Sequence, residues 1–144
     1  MASPFSEFEV ARPLRPSAPD FAFDLDRTLS SVVTLEAKVP EDAFTAEALG
    51  TERIGNGVVI GAEGLVLTIG YLVTEAQTVT LTTVDDRTVA GHVLGYDQVT
   101  GYGLVHALEP LGLPAMPLGD SRRLRPDDAV IVAGAGGAAH ALVG

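Results

Sequence analysis

The sequence predicts an all-β protein: a small, closed, six-stranded antiparallel barrel preceded by a short helix. Three observations predict it. Short runs rich in β-branched and aromatic residues recur between residues 31 and 107, turn signals separate them, and no long helical period interrupts them. With 144 residues, 47% hydrophobic and 19% charged, the chain can build one domain with a core and is too short for two ordinary ones.

The elements follow in order. Residues 1–20 carry Pro4, Pro13, Pro16 and Pro19, a density that blocks helix and sheet ladders, so they read as an arm. Asp20 stands as an N-cap, and Phe21, Leu25 and Leu29 recur at i, i+4 and i+8, which predicts an amphipathic helix docked by that face. The six strands are Ser31–Ala37, Gly57–Ile60, Leu65–Thr68, Thr78–Thr82, Thr88–Tyr96 and Tyr102–Ala107. Turns at Gly61–Gly64 and Val84–Arg87 predict pairing between sequential neighbours. The one long gap, Lys38–Arg53, holds Pro40, Glu41, Asp42 and Glu47 and reads as a solvated loop.

Residues 21–109 thus form the barrel with its helix, and Pro110, Pro114 and Pro117 make residues 110–127 a linker. Beyond it, the apolar runs Asp128–Ala133 and Ala138–Val143 flank a turn at Gly134–Gly137. Two strands are not an independently stable sheet, so residues 128–144 read as the opening of an incomplete second unit. Their apolar edges predict self-association, relieved by deleting residues 128–144.

Nine Lys and Arg against nineteen Asp and Glu give a net charge of −10. A nucleic-acid partner, which needs basic side chains for its phosphates, is excluded, and an anionic membrane surface is disfavoured. Without cysteine there is no disulfide, thiolate metal site or thiol nucleophile. The longest apolar run, Ala129–Ala139, is far short of the roughly 18 residues that span a bilayer. The first nine residues contain Glu7 and Glu9 and no base, unlike a secretory signal, so the expected location is the cytoplasm. His92, His106 and His140 stand 14 and 34 residues apart, unlike metal pairs on one helix, and read as solvated or hydrogen-bonded strand histidines. No metal is expected. Val130–Ala139 contains G-x-G-x-x-A, but only five residues follow, too few for the helix and second strand that dinucleotide binding requires. It reads as a glycine-rich hairpin turn, and no cofactor is expected.

From Ser31 to about Val143 the chain resembles trypsin-like serine proteases of the HtrA (Deg) type. Gly55-Asn56-Gly57-Val58-Val59-Ile60 is similar to that family's G-S-G-V-I-I, and Gly64-Leu65-Val66-Leu67-Thr68 to its G-Y-I-L-T. Asp85-Asp86-Arg87 resembles D-G-R, Gly95-Tyr96-Asp97 resembles G-x-D, and Leu118-Gly119-Asp120-Ser121 resembles L-G-D-S. Leu124-Arg125-Pro126-Asp127-Asp128 resembles L-R-V-G-D. The resemblance implies a chymotrypsin/trypsin-like first barrel and an incomplete second barrel, with a catalytic His and Asp from the first and a Ser from the second.

Residue by residue, the catalytic positions are degenerate. The family's T-x-x-H-V falls on Thr68-Ile69-Gly70-Tyr71-Leu72-Val73, which puts Tyr71 where the His would stand. A phenol titrates near pH 10 and cannot relay a proton at neutral pH as imidazole does. The family's S-D-I-A-L falls on Thr100–Leu104, which puts Gly101 at the carboxylate position. No G-N-S-G-G turn occurs before Gly144. Tyr71 then reads as an aromatic plug in the vacated pocket, and Tyr71 and Gly101 are expected close together at the mouth between barrel and linker.

The reading is a pseudoprotease that binds protein or peptide. The alternatives are the N-terminal part of a longer serine endopeptidase whose nucleophile lies beyond residue 144, and an unrelated β-barrel binding module. The resemblance also implies bacterial, often periplasmic, relatives that form homo-oligomers, with Phe5, Phe8, Phe21 and Phe23 as candidate contacts.

Overall fold

The computed structural model describes residues 7–144, and Phe5 lies outside them. Six strands, β1 (Val32–Lys38), β2 (Glu52–Gly61), β3 (Leu65–Ile69), β4 (Thr78–Thr82), β5 (Thr88–Tyr96) and β6 (Tyr102–Ala107), close into an antiparallel barrel. Around it they run in the order β1-β2-β3-β6-β5-β4. Period-2 alternation sets the inside: Val33, Leu35 and Ala37, then Val59, Val66, Val79, Leu81, Val89, Val105 and Ala107 are buried together. Bulges at Val59/Gly61 and Val93/Gly95 add bend to the long strands β2 and β5.

Pairing between sequential neighbours is corrected at two seams. β3 pairs with β6, and β4 with β1. The reason lies between β3 and β4, where a one-turn helix, α3 (Gly70–Val73), carries the chain onward instead of a tight turn. Its Leu72 and Val73 join the barrel core.

The gap at Lys38–Arg53 is not simply a loop. It contains a second one-turn helix, α2 (Ala46–Leu49), and β2 begins inside it at Glu52. The first helix, α1 (Leu25–Leu29), is capped by Asp24, whose carboxylate accepts from the Arg27 amide at 3.0 Å. Asp20 instead ends a 3-10 turn, Ala18–Asp20, because Phe21 already takes up extended backbone. Leu25 and Leu29 do form the buried face.

That face docks on a two-stranded sheet made by β7 (Ile131–Ala133) and β8 (Ala141–Val143), where Ala141 is fully buried against it. One face of the second unit is therefore covered within the chain. The connection between these strands is a glycine-rich turn and a 3-10 turn over Gly137–His140, as the G-x-G-x-x-A reading requires. The arm also packs: the Val10 amide donates to the Ala139 carbonyl at 2.9 Å, and the Arg15 guanidinium reaches Glu9 and the Val10 carbonyl.

The linker is a strap rather than a spacer. Leu111 is buried in the barrel core, the Ser31 hydroxyl donates to the Pro114 carbonyl at 2.7 Å, and the Met116 amide donates to the Val59 carbonyl at 2.7 Å. Arg87 donates to the carbonyls of Pro110 and Leu111. No helix among the described residues is long and apolar enough to cross a membrane.

Candidate functional site

Tyr71 and Gly101, the positions that the resemblance aligns with the family's His and Asp, meet where α3 abuts the turn between β5 and β6. The Gly70 amide donates to the Gly101 carbonyl at 2.7 Å, which pins the start of α3 to that turn. Gly103 permits the approach, because a Cβ there would lie 2.8 Å from Val73 Cγ2 and 3.3 Å from Gly70 Cα. Helix α3 then commits Leu72 and Val73 to the core and leaves Tyr71, on its other face, 50% exposed. The aromatic plug is thus corrected: Leu72 and Val73 already fill the buried side.

Gly101 has φ +80°, a left-handed conformation that glycine adopts without a Cβ clash. It closes a turn organised by Asp97, whose carboxylate accepts from the Val99 amide at 3.0 Å and from the Thr100 hydroxyl at 2.8 Å and amide at 3.3 Å. These bonds, the Thr100 hydroxyl foremost, hold the Asp97 carboxyl below the ordinary aspartate value. Engaged in its own turn, Asp97 does not line the cleft beside Tyr71.

That cleft, of about 590 Å³, has an apolar wall of Val58, Leu67, Ile69, Tyr71, Leu72 and Tyr102. Two of its polar groups are already engaged: the Thr68 hydroxyl donates to the Asn56 carbonyl at 2.8 Å, and Asn56 Oδ1 accepts from the Ala135 amide at 3.0 Å. Gly101 and Thr100 form part of the lining, so Tyr71 and Gly101 do share one cleft. The cleft opens between α3 and the β5–β6 turn, and no residue of the linker lines it. None of His92, His106, His140, Ser17, Ser30, Ser31 or Ser121 lines it either.

Arg53 is what the sequence reading missed. It is buried, and its guanidinium donates to the carbonyls of Tyr71 (2.7 Å), Thr74 (2.9 Å) and Gly50 (3.1 Å) and to the Thr45 hydroxyl (2.8 Å). It holds the backbone of α3, and Tyr71 with it, against the segment before β2. Glu75 completes the clamp by accepting from the Thr45 hydroxyl and from the amides of Thr45 and Phe44. A lone Arg at the end of a charged gap carries no sequence signal for this role.

Residues 55–143 match the trypsin-like peptidase domain family. The chain belongs to that family. Among its relatives, HhoA of Synechocystis sp., assigned to the serine proteases, is 40% identical over 82 residues, covering 56% of this chain and 21% of HhoA. The periplasmic pH-dependent serine endoprotease DegQ of Escherichia coli is 27% identical over 133 residues, covering 81% of this chain and 29% of DegQ. An HtrA-type protease structure, AlgW with a tripeptide, superposes with a TM-score of 0.61 at 24% identity, over 73% of this chain and 31% of AlgW. This trypsin-like domain therefore spans under a third of each of these relatives.

Proposed function

We propose that this HtrA-type domain does not hydrolyse peptides and instead binds an extended protein or peptide segment in the cleft at Tyr71. The observation that supports it is the lining of the cleft, where Tyr71 and Gly101, aligned by resemblance with the family's base and its orienting acid, stand with no His, Asp or Glu beside them. A nucleophilic hydroxyl needs an imidazole or equivalent base within hydrogen-bond reach, and the lining offers none. What the lining does offer is half-exposed apolar surface, with Ile69 at 47% and Tyr102 at 57% beside Tyr71. Such a wall favours an aliphatic or aromatic side chain of a peptide.

Fluorescence polarisation with short labelled peptides carrying such side chains tests the reading. Saturable binding, weakened by Tyr71→Ala and by Tyr102→Ala, with peptides intact by mass spectrometry, is expected. Cleavage, or binding that neither substitution changes, overturns it.

A second reading is the N-terminal part of a longer serine endopeptidase with its nucleophile beyond residue 144, favoured by the small share of each relative that the chain covers. Even then the base position would be Tyr71, and substituting one triad member alone typically lowers the rate by several orders of magnitude. Homo-oligomerisation, with Phe8 and Phe23 exposed for contact, belongs to the same proposal. Phe21, by contrast, is partly buried against Leu25 and Leu29 of α1, with its ring tilted against that of Phe23 at 5.3 Å.

A further inference from the structure

We propose that His92 and His106 form a two-imidazole surface site for a borderline divalent transition metal of the zinc or copper(II) kind. Their spacing of 14 residues argues against a helical metal pair, but the fold sets them on neighbouring strands, directly opposite one another in the β5–β6 ladder. Both side chains stand on the outer face. Val105 and Ala107, which flank His106, are buried in the barrel core, and β5 alternates in the same register, with Val93 packed against that core.

Directly opposite residues on an antiparallel pair have Cβ atoms about 5.5 Å apart, within reach of two imidazoles that must approach to about 3 Å at a shared metal. Imidazole nitrogen selects zinc, copper and nickel over the hard cations that prefer oxygen. Two further features favour a cation there. His106 lines a surface hollow with Glu63 and Glu109, and no Lys or Arg lines it. The chain as a whole carries a charge of −10. The rigid ladder supplies the preorganisation, because neither strand has to move to present both rings.

The test is isothermal titration of the intact chain with zinc chloride alone, repeated with copper(II) followed by electron paramagnetic resonance. One ion per chain and nitrogen hyperfine coupling from imidazole are expected. His92→Gln and His106→Gln should each weaken binding about tenfold or more, because the remaining ring loses a partner held at high effective concentration. His140→Gln should leave binding unchanged.

Thermal melts of the unsubstituted chain give an independent readout, since an ion that binds the folded state raises its midpoint. Equal binding by the His92→Gln/His106→Gln double variant, or no rise in midpoint at saturating zinc, overturns the proposal. The peptide-binding cleft is elsewhere on the barrel, so the two outcomes are independent.

Discussion

Arg53 is the single residue on which the geometry around Tyr71 depends most. Its buried guanidinium satisfies the carbonyls of Tyr71 and Thr74, which α3, one turn long, has no following turn to pair. Arg53→Met keeps most of the volume and removes every donor, leaving those carbonyls without their partner. A loss of about 2–4 kcal/mol in urea denaturation is expected, in the range for buried polar groups stripped of a charged partner. A change under about 0.5 kcal/mol would show that water replaces the guanidinium freely. Sequence reading singled out Tyr71 and Gly101 because each falls at a fixed offset inside a recognisable run. It missed Arg53, Thr45 and Glu75 because their partnership crosses 30 residues and is made largely to backbone atoms, which no side-chain pattern reports.

Among the elements, the strands and their sequential pairings were legible, and the two closing seams were not. Alternation in Val33-Thr34-Leu35 or Val79-Thr80-Leu81 marks inward and outward faces wherever a strand lies, so strand positions follow from period alone. The β3–β6 and β1–β4 seams depend on closure of the whole barrel, which sequence distance does not encode. The proline-rich linker misled for a related reason: proline bars it from a ladder, yet carbonyls such as Pro114's still accept from the barrel.

One element carries a pH dependence. The bonds that Glu75 accepts, from the Thr45 hydroxyl and amide before all, lower its carboxyl below the ordinary 4.5. The docking of α2 that it supports is therefore present above that ordinary value and fades as pH falls through the lowered one. Hydrogen exchange at the Phe44 and Thr45 amides should accelerate, relative to intrinsic rates, as the solution is acidified below pH 4.5, and Glu75→Gln should abolish the step. Protection that stays constant to low pH contradicts the clamp.

At the scale of the whole molecule, the sheet of β7 and β8 acts as a cover for α1. Its inner face buries Leu25 and Leu29, each worth about 1.5–3 kcal/mol of apolar burial. Deleting residues 128–144 should therefore lower solubility and the melting midpoint, the reverse of what the sequence predicts. A shortened chain that is monomeric and melts no earlier by light scattering and calorimetry would show that α1 needs no cover. The outer side still presents Val132, 61% exposed, and Val143, so association of the full chain through this sheet remains open to the same measurement.

Central to the proposed function is a trypsin-like barrel without the means to activate a hydroxyl. A fluorophosphonate probe reports that directly, because it reacts with an activated serine whether or not a good substrate is known. Incubated with the full chain at neutral pH, the probe should leave no label above a heat-denatured control. Stoichiometric labelling of one hydroxyl, lost when that residue is substituted, would contradict the account.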